Sequence, residues 1–117
     1  LIGAIMARWQ IPPAGVIGHS DMAPGRKIDP GPRFDWARLA GQGLATHPAP
    51  PLLSPETAPP LAESLAAIGY GTDAPPEALL HAFRLRFRPG ATGPESAADR
   101  QIAAAAARAF AEAREKA

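Results

Sequence analysis

The sequence has 117 residues, which suits one ordinary domain or two small ones. Twelve basic and eleven acidic residues leave a net charge of +1, so charge gives no reason to expect nucleic acid or an anionic membrane as a partner. Cysteine is absent, which excludes disulfides, thiolate zinc sites and a cysteine nucleophile. No apolar run approaches the roughly 20 residues of a membrane-spanning helix. Composition leaves the oligomeric state open.

The first predicted element is a helix over residues 1–10. Four apolar side chains recur there at helical spacing and predict one packed stripe: Ile2, Ile5, Met6 and Trp9. Pro12 and Pro13 end this helix, because proline disfavours helical backbone in the residue before it. The sequence lacks an initiator methionine and opens directly on this helix, so we expect the chain to be a fragment of a longer protein.

A short strand and a long loop are predicted next. Val16 and Ile17 form a β-branched pair between two glycines, typical of a buried strand. A loop rich in glycine and proline then runs to Pro32. A short helix is expected to begin near Asp35, whose negative charge suits a helix N-terminus, and Trp36 of this helix is predicted to pack inside.

Residues 47–60 mark the clearest boundary in the chain. This span is rich in proline, without apolar periodicity, which is typical of a semi-rigid spacer. The sequence therefore predicts three parts: residues 1–46, a linker over 47–60, and a second unit over 61–113.

Three amphipathic helices are predicted after the linker. Leu65 belongs to the stripe of the first helix, Phe83 to that of the second and Phe110 to that of the third. Ser96 and Asp99 have the spacing of an approximate capping box at the start of the third helix. The charged tail after residue 112 is expected to fray.

The loop contains residues suited to a zinc site. Catalytic zinc takes three protein ligands and keeps one position for water. His19 lies at the mouth of the loop, and Asp29 follows after Pro24 and Gly25, which can turn the chain back. Lys27 shares a face with Asp29 if that piece is extended, so its cation could stabilise an oxyanion beside the metal. Spacing alone leaves a purely structural role for His19 and Asp29 open.

The same loop carries a longer motif. His-Ser-Asp-x-Ala-Pro-Gly-Arg-Lys-x-Asp-Pro-Gly-Pro runs from His19 to Pro32. This motif, with its flanks over residues 1–43, resembles the zinc-site signature of N-acetylmuramoyl-L-alanine amidases. The resemblance implies an α/β fold, so we expect the C-terminal part of a mixed-sheet amidase domain followed by a small all-α domain.

The resemblance also implies roles for individual residues. His19 would be the second histidine ligand of Zn²⁺, Asp29 the carboxylate ligand, and Lys27 the catalytic cation that steadies the tetrahedral intermediate. The family's first histidine ligand and its general base belong upstream of the motif and have no counterpart before His19. We therefore expect this chain alone to bind zinc weakly and to lack turnover.

The remaining polar residues of the motif and the other histidines are interpreted as structural. Asp21 is expected to form a local turn with the backbone, and Arg26 to lie on the surface, with a contact to an anionic substrate as the lesser alternative. His47 is predicted to be a solvated linker residue and His81 a helix-surface residue.

Residues 61–113 resemble the three-helix peptidoglycan-binding module that often follows such amidases. The resemblance is carried by Leu65-Ala66-Ala67-Ile68-Gly69-Tyr70-Gly71, by Ala82-Phe83-Arg84-Leu85-Arg86-Phe87-Arg88-Pro89 and by Ala98-Asp99-Arg100. The alternative is a helical cap that only stabilises the enzyme. Because Arg84, Arg86 and Arg88 alternate on a helix, they cannot share one face, and we expect them on a solvated surface.

The function implied is hydrolysis of the amide between N-acetylmuramic acid and the L-alanine of the stem peptide. Peptidoglycan or muropeptides would be the partner, in the periplasm or cell envelope, with a cytoplasmic location as the alternative. The competing hypothesis is a non-catalytic binding or structural module that retains a degenerate metal loop.

Overall fold

Helices joined by turns and loops make up the described chain. The computed structural model describes residues 1–48, 54, 56–71 and 73–116, without the side chains of His19 and Lys116. Its helices, in chain order, are α1 (Ile2–Trp9), α2 (His19–Met22), α3 (Trp36–Gly41), α4 (Leu61–Ile68), α5 (Pro76–Phe87) and α6 (Ala97–Lys116), with a 3₁₀ turn at Pro13–Gly15. None of the described helices is both long and apolar enough to cross a membrane.

The expectation of an α/β fold is wrong for the described residues, which contain helices and no strand. The strand predicted at Val16 and Ile17 is absent from the described structure. Val16 does have extended backbone, with φ −96° and ψ 103°. Its N–H, however, donates to the carbonyl of Pro13 at 3.1 Å and closes the 3₁₀ turn. A strand needs a ladder partner, and no other described segment supplies one.

The main apolar core lies among α4, α5 and α6. Its buried members come from all three helices and from the second residue after α4: Leu61, Leu65, Ile68, Tyr70, Ala82, Phe83, Phe87, Ala103, Ala106 and Phe110. The three helices predicted after the linker are therefore present. Alanines on α6 let the longest helix approach α4 closely, because a methyl group leaves the least bulk between two backbones. Whether this unit is a peptidoglycan-binding module stays a prediction.

The predicted capping box at the start of α6 is confirmed. The backbone N–H of Ser96 donates to Asp99 Oδ2 at 2.9 Å, and the N–H of Asp99 donates to Ser96 Oγ at 3.4 Å. Asp99 is fully buried and also accepts from Arg84 Nη2 at 2.7 Å and Arg88 Nη1 at 2.6 Å. Burial alone would raise the pKa of Asp99, but the hydrogen bonds from Arg84, Ser96 and Arg88 outweigh it and hold that pKa well below its usual range.

The expectation of a solvated surface for the arginines of α5 is wrong. Arg84 and Arg86 are buried and Arg88 is partly buried. Arg84 and Arg88 bond to Asp99 on α6, whereas Arg86 bonds to Asp21 in the N-terminal half. The three side chains project in different directions, as helical geometry requires, and each of them pairs with a carboxylate.

Two smaller expectations also fail. Trp9 is 68% exposed instead of packed, and the guanidinium of Arg8, its neighbour in α1, lies 5.5 Å from its ring centroid. The last helix does not fray at residue 112 but continues to Lys116. Arg114 secures this end by donating to the carbonyls of Ala67 and Ile68, the last residues of α4, where the helix dipole favours a cation.

The spacer is described only in part. Residues 49–53 and 55 lie outside the described residues, so the proposed linker and the three-part division stay predictions. His47, at its start, is not solvated as expected: it is half-buried, and its ring centroid lies 6.0 Å from that of Phe87. Burial, followed by the charge of Arg86, lowers the pKa of His47.

Replacing Asp99 by asparagine is expected to cost about 3–5 kcal/mol of the free energy of unfolding at pH 7, because Arg84 loses the charge that compensates its burial. The pKa of Asp99 is lowered on folding, so its contribution is complete above the ordinary aspartate pKa of about 3.9 and is lost as the pH falls below that value. Urea unfolding of wild type and Asp99→Asn at several pH values measures this.

Glu95→Gln is the matched control, because Glu95 forms an exposed pair with Arg100 at 3.0 Å. We expect it to change the free energy of unfolding by less than about 1 kcal/mol. A gap between wild type and Asp99→Asn that is as large at pH 2 as at pH 7 would contradict the assignment.

Candidate functional site

The loop that carries the predicted zinc ligands folds back on itself. The N–H of Ser20 donates to the carbonyl of Asp29 at 3.0 Å. Between them, the N–H groups of Arg26 and Lys27 donate to the carbonyl of Ala23 at 3.1 and 3.0 Å and form the turn. The backbone beside His19 therefore lies against the backbone of Asp29, as the Pro-Gly turn predicted.

Gly25 makes this turn possible, since its φ of +79° lies in the left-handed region that suits glycine. The chain leaves the turn as irregular backbone through Lys27 and Ile28 and reaches Asp29. The side chains of Lys27 and Asp29 are exposed. The backbone of His19 begins α2, while its side chain lies outside the described structure.

An imidazole and a carboxylate are donors that zinc accepts, so His19 and Asp29 fit two positions of a three-ligand set. The described residues contain no group of three or more His, Cys, Asp or Glu side chains placed to hold a metal. This statement does not include His19, whose side chain is not described. The zinc site with His19, Asp29 and Lys27 therefore stays a prediction, and the backbone geometry is compatible with it.

Gly18, directly before His19, sits in a tight junction. A Cβ at this position would lie 2.8 Å from Cδ of Pro30 and 3.3 Å from Cζ2 of Trp36. Both neighbours are rings that cannot swing aside as a flexible side chain would. Glycine is therefore required here to let the two limbs of the loop approach each other above α3.

Asp21, in the first turn of α2, caps the N-terminus of that helix. Its Oδ2 accepts the N–H of Gly18 at 2.9 Å, which is the side-chain-to-backbone bond of a capping box with Gly18 as the N-cap residue. The predicted local turn is thus confirmed. Asp21 is also buried and accepts hydrogen bonds from Tyr70 Oη and from Arg86 Nη1, the latter at 3.2 Å.

Arg86 connects this carboxylate to two further segments. Its Nη2 donates to the carbonyl of Thr46 at 3.0 Å, and its guanidinium lies 4.1 Å from the ring centroid of Trp36. Burial lowers the pKa of Arg86 and Asp21 opposes that effect, yet an arginine stays protonated at any physiological pH. Burial, with the charge of Asp21, raises the pKa of Tyr70, so its hydroxyl stays a donor.

Sequence reasoning missed Tyr70 and Arg86 as partners of the loop. They lie 49 and 65 residues from Asp21 along the chain, and no local pattern links such distant positions. One signal was available. Three arginines at alternate positions of an amphipathic helix cannot all face water, so at least one of them needs a buried carboxylate.

We call α4, α5, α6 and the described segments between them the helical unit. A cleft of about 170 Å³ lies along this junction, lined by residues of the N-terminal half and of the helical unit: Ala14, Ile17, Asp21, Ile68, Gly69, Tyr70, Arg86, Phe110 and Arg114. Neither Lys27 nor Asp29 borders it. The cleft therefore follows the anchored side of the loop and not the side that carries the predicted ligands.

No family model matches the chain. Among curated proteins, N-acetylmuramoyl-L-alanine amidase AmiD of Escherichia coli K12 is 35% identical over 117 residues, covering 87% of this chain and 42% of that protein. The 1,6-anhydro-N-acetylmuramyl-L-alanine amidase AmpD of Enterobacter cloacae is 50% identical over 35 residues, covering 30% of this chain and 19% of that protein.

Solved structures give the same picture. The complex of Escherichia coli AmiD with the substrate anhydro-N-acetylmuramic acid-L-Ala-D-gamma-Glu-L-Lys matches with a TM-score of 0.75 at 34% identity, over 92% of this chain and 48% of that one. Pseudomonas aeruginosa AmpDh3 in complex with anhydromuramic pentapeptide matches with a TM-score of 0.76 at 28% identity, over 92% and 49%. The chain thus spans less than half the length of these relatives, among which AmiD and AmpD are named as N-acetylmuramoyl-L-alanine and 1,6-anhydro-N-acetylmuramyl-L-alanine amidases.

Gly18→Ala is expected to lower the free energy of unfolding by about 1–3 kcal/mol, because the added methyl group overpacks the contact with Pro30 and Trp36. Gly41→Ala is the control: nothing lies within 4 Å of a Cβ there, and alanine in α3 is expected to be neutral or slightly stabilising. Chemical denaturation of both variants measures the difference. Equal effects at the two positions would contradict the close approach at Gly18.

Proposed function

We propose that this chain is a part of a zinc-dependent N-acetylmuramoyl-L-alanine amidase. The observation that carries the proposal is the similarity to AmiD, which extends through nearly the whole chain in both sequence and fold. The folded-back loop supports it, because the backbone bond between Ser20 and Asp29 joins the two segments that would supply ligands.

In this proposal His19 and Asp29 contribute two of three protein ligands, and the third comes from outside the described residues. A zinc ion held there would polarise the scissile carbonyl and lower the pKa of a water molecule. Asp29 leaves the loop at a proline, so its carboxylate is carried on a stiff piece of chain. Lys27 brings an ammonium group to the same limb of the loop.

The proposed reaction is hydrolysis of the amide between the lactyl group of N-acetylmuramic acid and L-alanine. Water adds to the carbonyl carbon, the C–N bond breaks, and the nitrogen leaves as the amine of L-alanine with a proton. Negative charge develops on the carbonyl oxygen on the way. The ammonium of Lys27 stabilises that charge by donating a hydrogen bond to it.

The substrate class proposed is peptidoglycan or its muropeptides, since the AmiD and AmpDh3 structures hold anhydromuramyl peptides. A periplasmic or cell-envelope location follows if intact wall is the substrate, and a cytoplasmic location follows if free muropeptides are. Cell fractionation separates the two. The helices α4–α6 would then bind the wall polymer or serve as a cap on the enzyme.

Single replacements in the loop test the assigned roles in the full-length protein that the gene encodes. His19→Ala and Asp29→Ala are expected to lose stoichiometric zinc and cleavage of a muramyl-L-alanine peptide together. Lys27→Met is expected to keep zinc but to lower kcat about 10²–10³-fold, because it removes one oxyanion donor. Isothermal titration with zinc and chromatography of the products measure both.

Arg33→Met is the control for loss of one exposed cation directly after the loop, and it should keep zinc affinity and kcat. The isolated 117-residue chain is expected to bind zinc weakly and to show no turnover. A full-length protein that binds no zinc would rule out the enzyme and favour a non-catalytic module with a degenerate metal loop.

A further inference from the structure

We propose that Tyr70 and Arg86, on the helical unit, are positioning residues that hold the metal-ligand loop in place through Asp21. This inference rests on the proposed function, because it assigns His19 and Asp29 to a zinc site. It assigns to α4–α6 a specific task in that site, in addition to any binding of the wall.

The carboxylate of Asp21 controls the backbone on both sides of His19. It belongs to α2, two residues after His19, and it accepts the N–H of Gly18, the residue before His19, at 2.9 Å. The N–H of Ser20 ties the same turn to Asp29 at 3.0 Å. A movement of Asp21 therefore moves the positions of both proposed ligands.

Helix α2 cannot hold this geometry by itself. It has four residues, far below the about 12–15 that even a good helical sequence needs to be marginally stable alone. Its place must come from tertiary contacts. Among the described residues, Tyr70 and Arg86 make such contacts, both with the carboxylate of Asp21.

Arg86 is suited to pair with a buried carboxylate. The side chains of Arg86 and Asp21 are 2% and 6% exposed, so each charge is compensated by the other and not by water. The planar guanidinium uses a second nitrogen on the carbonyl of Thr46 at 3.0 Å and lies over Trp36, which itself contacts the Gly18 junction. Arg86 is therefore held by Thr46 and Trp36 as well as by Asp21.

If Arg86 had a purely structural role, its loss would lower stability without changing the metal site. The chain contains a second buried arginine, Arg84, whose replacement distinguishes a structural role from a positioning role. Arg84 lies two residues away on the same helix, is 8% exposed, and pairs with Asp99 at 2.7 Å. Its partners are Gly93, Pro94 and Asp99, all within the helical unit. Loss of Arg84 thus breaks a buried ion pair that does not reach the loop.

The experiment compares Arg86→Met, Arg86→Lys, Tyr70→Phe and Arg84→Met in the full-length protein. Zinc affinity is measured by competition with a chromogenic chelator, the visible spectrum of the Co²⁺-substituted protein reports ligand geometry, and thermal unfolding reports stability. We expect Arg86→Met and Tyr70→Phe to weaken zinc binding about 10–100-fold, the usual effect of removing a group that orients a ligand, and to alter the Co²⁺ spectrum.

Arg86→Lys restores the charge but not the forked geometry, so its zinc affinity should lie between those of wild type and Arg86→Met. Arg84→Met should lower the unfolding temperature while leaving zinc affinity within about twofold of wild type, far from the change expected of an orienting residue. If Arg86→Met does not fold, the zinc affinity and Co²⁺ spectrum of Tyr70→Phe test the inference, because that variant loses only one hydroxyl group.

Wild-type protein that binds zinc and cleaves substrate, with unchanged zinc affinity in Tyr70→Phe and Arg86→Met, would overturn this inference and leave the proposed function intact. Equal losses in Arg84→Met and Arg86→Met would overturn it as well, because the effect would then follow stability. Wild-type protein without zinc binding would overturn the proposed function and this inference together.

Discussion

The buried ion pair between Asp21 and Arg86 is the contact on which the arrangement of this chain depends. Each partner would be costly inside the protein alone, since an unpaired buried charge destabilises a fold by several kcal/mol. Together with Tyr70 they connect α2 to α5 and to the segment that follows α4. The same guanidinium binds the carbonyl of Thr46 and covers Trp36, so four segments meet at one group.

Helix positions could be predicted from sequence because their signals are local. Asp35 at the N-cap of α3, Pro76 at the first position of α5, and Ser96 with Asp99 before α6 all act within one turn of helix. The strand at Val16 could not be judged this way. A strand exists only with a neighbour, and β-branched residues specify extended backbone without specifying a partner.

The arginines of α5 illustrate the other limit. Charge on a helix usually means a solvated face. The alternation of the arginines indicates that one of them is buried, but it does not indicate which carboxylate, on which element, pairs with Arg84 or Arg86. The loop motif, in contrast, placed Asp29 beside the backbone of His19 correctly, because a Pro-Gly turn within ten residues leaves the chain few ways to run.

The two tryptophans of this chain occupy opposite environments. Trp9 is 68% exposed, whereas Trp36 is 5% exposed beneath the guanidinium of Arg86. An indole in water emits at longer wavelength than one in a packed interior, and Trp36 faces the cation that holds the loop. The molecule thus carries its own optical probe: the blue component of its emission reports whether the loop is seated on the helices, and the red component serves as an internal reference.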